Sequence, residues 1–260
     1  MGKIIAIANQ KGGVGKTTTA INVAACLAEV GVKTLLIDLD PQGNASSGLG
    51  YTEQKEKNVY QALIGKLGLK EVIVPGPVKN LDLVPAGIDL IGAEIELVSL
   101  PYRERRLRMV LRPIADQYSL LIIDCPPSLG LLTINSLTAA HSVLIPLQCE
   151  YFAMEGLGRL TETLKLVVNS LNPSLRLEGV VLTMFDPRNN LSHQVAQEVR
   201  QHFADQVFQT IIPRNVRLSE SASYGQPIII YDPRCKGAES YRQLAEEIAH
   251  RNGIKEVSSR

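Results

Sequence analysis

Short apolar runs recur along this chain, spaced so that each pair leaves room for a helix between them. Seven of them, "KIIAIAN", "KTLLIDLD", "LDLVPA", "LLIIDCPP", "SVLIPLQ", "LEGVVLTMFD" and "FQTIIP", carry apolar residues mostly at consecutive positions. Consecutive placement, as opposed to alternation, is the pattern of strands covered on both faces of a parallel sheet. The intervening segments follow a helical period. Leu157, Leu160, Leu164, Val168 and Leu171 make one apolar stripe, and Tyr241, Leu244, Ala245 and Ile248 make another. Strand and helix alternating over the whole length predict a doubly wound α/β fold, a mostly parallel sheet flanked by helices. No linker, repeat or low-complexity tract breaks the pattern. Residues 1–260 are therefore expected to form a single domain with a flexible tail over 251–260 and no helix-turn-helix module ahead of the first strand.

The first run leads into "NQKGGVGKTTTA", Asn9 to Ala20. A phosphate loop has the form G-x-x-x-x-G-K-[ST], and here Gly15, Lys16 and Thr17 complete it while Gln10 stands where its first glycine belongs. Lys11 adds a second positive charge next to that position. The context is right all the same: a strand, a glycine loop, and a helical segment closing at Gly31. Backbone N–H groups of Gly12, Gly13, Val14, Gly15 and the helix start at Lys16, Thr17 and Thr18 would cradle phosphate oxygens. Lys16 would face the β- and γ-phosphates and the Thr17 hydroxyl would hold Mg²⁺.

Two apolar runs end in aspartate, where ligands gather in such sheets. Asp124, closing "LLIID", has the form of a Walker B carboxylate that orients a Mg²⁺-bound water. Asp40 opens the Pro-, Gly- and Asn-containing loop "DPQGN" and is assigned to closing on the γ-phosphate, near the metal and the attacking water. Asp38 reads instead as a strand-end carboxylate with a structural hydrogen bond.

Composition narrows the classes. Net charge is +1, so no global field draws the chain to DNA or to an anionic membrane, and any such contact must be local. Cys26, Cys125, Cys149 and Cys235 show no C-x-x-C pairing for zinc, a cluster or a redox dithiol, and three lie in apolar runs as core residues. A reducing cytoplasm fits. No signal peptide is read, since Lys3 meets "IIAIA" directly, and Ala6 stands where a myristoylation signal wants Ser or Thr. No apolar stretch reaches the ~20 residues of a membrane span.

"KGGVGKTTT" resembles the deviant Walker A motif of the ParA/MinD group of ATPases, with "DLDPQGNAS" similar to its switch I and "DCPPSLG" to its switch II. "EYFAMEGL", "TMFD" and "IIPRNVRLSE" narrow the resemblance to chromosomal ParA proteins of the Soj type, over essentially the whole chain. The resemblance implies that Lys11 reaches across a dimer interface to the phosphates of a partner's ATP, as an arginine finger would. Gly12 would then lie where a side chain has no room. It implies, further, ATP and Mg²⁺ as cofactors, an ATP-bound sandwich homodimer, and non-specific binding of that dimer to double-stranded DNA. Hydrolysis to ADP and phosphate would be slow and stimulated by a ParB-type centromere-binding partner. Arg188 and Arg217 match a phosphate-contacting patch, Pro213 and Arg214 lie near the adenine, and the location expected is cytoplasmic and nucleoid-associated.

Other branches of the group fit less well. A MinD-like membrane-cycling ATPase is the alternative, but "AESYRQLAEEIAHR" carries Glu239, Glu246 and Glu247 on its polar face, which suits packing on the sheet over anionic lipid. Cluster carriers need paired cysteines, and tyrosine-kinase relatives need a terminal tyrosine cluster. One motif stays unassigned. "RERRLRMVLR", Arg103 to Arg112, places Arg105, Arg108 and Arg112 on one helical face by spacing, as a solvated face or an additional DNA or partner surface.

Overall fold

The computed structural model describes residues 2–52 and 56–254. Eight strands form one sheet: β1 (Lys3–Ile7), β2 (Thr34–Asp38), β3 (Val74–Pro75), β4 (Leu81–Val84), β5 (Leu120–Asp124), β6 (Ser142–Gln148), β7 (Arg176–Phe185) and β8 (Val207–Pro213). Their order is β3-β4-β2-β5-β1-β6-β7-β8. Every pairing is parallel except β3 with β4. All seven apolar runs are strands. The eighth, β3, is two residues long and too short to show a period.

β2 and β5 are buried at every position and β1 at all but its first, as consecutive apolar placement requires. Two apolar layers cover the sheet. On one face the helices Lys16–Glu29 and Lys236–Arg251 pack on Ile5, Ile7, Leu36 and Ile122. On the other, Leu132 and Leu137, Leu157 and Leu160, and Val195 and Val199 bring three further helices onto Ile4, Ile37 and Ile123. Each fully buried Leu or Ile contributes about 1.5–3 kcal/mol, so the central strands anchor the chemistry at their carboxyl ends.

Small residues let the helix Lys16–Glu29 lie close to the sheet: from Thr19 to Ala28 every side chain is buried. It stops where Gly31 takes φ 89° and the Val32 N–H returns to the Leu27 carbonyl at 3.0 Å. In the helix Lys236–Arg251 the stripe Tyr241, Leu244, Ala245 and Ile248 is buried as expected. Glu247 departs from its assignment to a polar face. Its carboxylate accepts from the Gln209 N–H (3.0 Å) and the Thr210 N–H (3.2 Å), covering free donors of the edge strand β8. The expected tail also begins too early. Arg251 still belongs to the helix and its guanidinium stacks over Phe208 at 4.0 Å, while Asn252 donates to Glu178. Residues 255–260 of that tail lie outside the described residues.

Cys26, Cys125 and Cys149 are buried and Cys235 is partly exposed, all as free thiols. Among the described residues no helix is long and apolar enough to cross a membrane.

Candidate nucleotide and metal site

Adjacent strand ends supply the site. The loop after β1 is anchored from two neighbouring strands and within itself before any ligand arrives. Asn9 donates to the Pro146 carbonyl of β6 (2.7 Å) and accepts from the Lys11 N–H (3.0 Å). Thr183 of β7 donates to the Val14 carbonyl at 2.8 Å. Gly13 and Gly15 take φ of 73° and 88°, a region that side chains disfavour and that turns successive N–H groups toward one hollow. That hollow has a volume of about 420 Å³, and Gly12, Gly13, Gly15, Lys16, Thr17, Thr18 and Asp40 line it. A second cavity of about 220 Å³ shares Gly15 and Thr18 with the first and adds Pro213 and Arg214. A phosphate chain suits the first cavity and a flat base the second.

Lys16 is buried, and its ammonium donates to the Lys11 carbonyl at 3.1 Å, bending back over its own loop. Burial lowers its pKa, opposed by the negative charge of Asp124 and Asp40. An ammonium partly stripped of water inside a ring of N–H groups is prepared for an anion.

The three aspartates differ sharply in their surroundings. Asp38 is fully buried and accepts from the Ser46 N–H (2.8 Å), the Ser46 hydroxyl (2.7 Å) and the Asp40 N–H (3.2 Å), so it ties the following loop to β2. Burial pushes its carboxyl up to about 6 against those three bonds. Asp124 is Asp38's cross-strand neighbour on β5, equally buried, and neither of its oxygens has a hydrogen-bond partner. Burial first, then the charge of Asp38, raises its pKa well above the ordinary carboxylate range, while the nearby Thr17 hydroxyl and Lys16 favour the charged form. An orphaned buried carboxylate beside a hydroxyl fits a divalent cation. Among the described residues no three His, Cys, Asp or Glu side chains cluster as a metal cage, so a cation here would need phosphate oxygens as further ligands, the usual habit of Mg²⁺. Asp40 is buried at the rim of the hollow and accepts from the Gln42 N–H at 3.0 Å, which shapes its loop.

Lys11 stands apart from the other assigned groups. Its backbone carbonyl touches Lys16, but its ammonium turns out of the hollow to the Glu150 carboxylate at 2.7 Å. Glu150 opens the run "EYFAMEGL", which assigns it no role of its own. It lies beyond the end of β6, and because β6 pairs with β1 the two chain segments leave the sheet side by side. Gly12 is not crowded within its own protomer, since a Cβ there would meet nothing nearer than Pro127 Cβ at 3.9 Å. Any steric demand at Gly12 therefore comes from outside the chain.

Arg188 and Arg217 follow the ends of β7 and β8, on the same edge of the sheet as the phosphate loop. Neither is a bare cation. Arg188, 87% exposed, forms a forked pair with Asp186 at 3.0 and 2.8 Å and holds that carboxyl down at about 2. Arg217 pairs with Glu220 at 2.9 Å and Asp232 at 3.4 Å.

A mostly parallel sheet with a glycine loop and orphaned aspartate at its carboxyl edge defines a P-loop nucleotide-binding protein. Residues 2–177 match the model of an AAA domain family. The chain is 57% identical over 253 residues to the chromosome partitioning protein ParA of Myxococcus xanthus, covering 97% of this chain and 89% of that one. It is also 57% identical over 250 residues to the sporulation initiation inhibitor protein Soj of Bacillus subtilis, covering 96% and 99%. Among solved structures, the cobyrinic acid a,c-diamide synthase of Mycobacterium smegmatis with bound ADP and magnesium superposes with a TM-score of 0.85 at 37% identity, covering 100% and 99%. The chain belongs to the ParA/Soj family of chromosome partitioning ATPases.

Proposed function

We propose that this chain works as an ATP- and Mg²⁺-dependent partitioning ATPase whose ATP-bound form is a sandwich dimer that binds double-stranded DNA without sequence preference. Within one ATPase domain, Lys16 and the N–H groups of the loop hold the phosphates, while Pro213 and Arg214 border the base. Thr17, Asp40 and Asp124 would hold the cation together with phosphate oxygens. The cation, when bound, would neutralise charge on the phosphates as the β–γ bond breaks. Asp40 positions the attacking water, with ADP and phosphate as products. No strong general base lies in the hollow, so turnover without a partner is slow.

One observation carries the dimer: Lys11, the added cation of the loop, is directed away from its own phosphate hollow and onto the rim. A half-exposed ion pair of this kind is worth about 1 kcal/mol or less, so a second protomer's phosphates can displace Glu150. Arg188 and Arg217 then contribute to a DNA surface shared between protomers. Hydrolysis, stimulated by a ParB-type centromere-binding protein, returns monomers that release DNA, in a cytoplasmic cycle on the nucleoid.

DNA co-sedimentation with ATP, with ADP and without nucleotide tests this reading. Binding with ATP alone is expected, and equal binding in all three would refute it. The alternative, a MinD-like membrane-cycling ATPase, requires ATP-dependent retention on anionic liposomes. None is expected, because the helix Lys236–Arg251 spends its apolar face on the sheet.

A further inference from the structure

The arginine cluster has a structural counterpart that the nucleotide cycle does not use. At the amino-terminal edge of the sheet, opposite the phosphate loop, a cavity of about 340 Å³ opens between the start of β1, the start of β6 and the helix Arg106–Leu111. Arg108 and Arg112 both line it, whereas Arg105 sits in the preceding turn. Neither Arg108 nor Arg112 has an ion-pair partner among the described residues. Every arginine at the opposite edge discussed above does, except Arg214.

The floor is polar where it meets them. His141 accepts the Ile4 N–H on Nδ1 at 2.9 Å, which leaves Nε2 as the N–H donor of a neutral ring. Burial first, then the positive charges of Lys3 and Arg108, lower its pKa and keep it neutral. Thr138 is 1% exposed, and its hydroxyl is buried with no partner. A buried hydroxyl left unpaired costs about 1–3 kcal/mol, so a rotation of the Thr138 side chain that turned it onto a ligand in the adjoining cavity would be repaid. The groups that would repel an anion are already engaged. Asn172 caps the Leu137 and Ala140 carbonyls at 2.9 and 2.8 Å, and Glu178 is held by Ser142, Lys3 and Asn252. Ile4 and Leu111 supply an apolar wall.

We infer that this cavity binds a small phosphate monoester, its phosphate held by Arg108, Arg112, the His141 Nε2–H and the Thr138 hydroxyl, with its organic part on the apolar wall. Guanidinium forks match phosphate oxygens, and the two neutral donors add directional bonds without further charge. A duplex backbone does not suit the same place, because the donors on the floor are recessed below the surface that a rigid helix could touch. The inference does not depend on the dimer or DNA cycle proposed above.

The test uses the full chain saturated with Mg²⁺ and a non-hydrolysable ATP analogue, so that added phosphate cannot occupy the phosphate loop. Imidazole resonances in histidine-labelled protein are followed during titration with inorganic phosphate and with phenyl phosphate, and His141→Gln identifies the resonance. The His141 signal should move saturably with both, and more tightly for phenyl phosphate. Arg108→Ala and Arg112→Ala should each weaken binding about tenfold. Thr138→Val, which keeps the shape and loses an unpaired hydroxyl, should weaken it severalfold while holding or raising thermal stability. A His141 signal that does not respond, or that responds equally in the arginine variants, would overturn the assignment. So would loss of duplex binding in those variants without competition by phosphate, because the cluster would then be a DNA surface.

Discussion

The carboxyl edge of the sheet holds two cationic regions built on opposite terms. In the phosphate hollow, Lys16 is buried, its loop is fixed from β6 and β7, and the carboxylates of Asp124 and Asp40 beside it are buried as well. At the ends of β7 and β8, Arg188 and Arg217 stand in solvent, and each charge is answered by a neighbouring carboxylate. The first region is organised before its ligand comes and concentrates binding energy in a few groups. The second holds cations in exposed, solvent-screened pairs, which a polyanion can exchange one at a time. Under the proposed cycle, a site that retains a nucleotide and a surface that releases DNA would call for these different constructions.

Variants should separate the two regions by size of effect. Lys16→Ala removes the only buried ammonium among the described residues of the hollow and should weaken ATP binding by about three orders of magnitude. Calorimetry showing near-normal affinity would mean that the hollow is not where the phosphates bind. Asp40→Ala comes next. It should bind ATP and dimerise yet lose about a hundredfold in turnover, so the DNA-bound form accumulates. Failure to bind ATP would make Asp40 a ground-state ligand instead.

Gly12→Val probes the rim between the regions. The protomer has space for the side chain, so ATP binding should survive while dimerisation weakens by at least about thirtyfold. Light scattering with ATP decides, and a normal dimer would argue against close approach of two protomers there.

The smallest effects belong to the exposed edge. Arg188→Ala and Arg217→Ala should each weaken duplex binding only severalfold, alike for unrelated sequences, and spare ATP binding and the dimer. Each should lower the slope of log affinity against log salt by ~0.9 for every phosphate contact removed. An unchanged slope with an intact dimer would place the DNA surface elsewhere.

The difference between the regions also decided how much could be read from the chain. A phosphate loop needs glycines, a lysine and a hydroxyl residue at fixed spacing between a strand and a helix, so its chemistry is local and the letters from Gly12 to Thr18 report it. The long buried strands were legible for a similar reason, whereas Val74–Pro75 is defined only by pairing with β4. Asp38 and Asp124 end almost identical apolar runs. What separates them is Ser46, whose two donors satisfy Asp38 and leave Asp124 bare. Glu150 opens the run "EYFAMEGL", but its contact with Lys11 is not legible there, because the two meet only through the pairing of β1 with β6. Glu247 reads as one of three acids on a polar helix face, and only the edge of β8 beneath it gives it its partners. Arg188 and Arg217 carry no local signature, since an exposed arginine beside an acid is found on any surface.

The central claim is that Lys11 serves a partner's nucleotide and not its own. The most direct measurement is the ATP affinity of Lys11→Ala at protein concentrations too low for dimerisation, followed by light scattering at high concentration. With its ammonium lying on Glu150 outside the hollow, the variant should bind ATP within about threefold of the parent chain and remain monomeric at every concentration. A large loss of ATP affinity in the monomer, or a normal ATP-dependent dimer, would contradict the account.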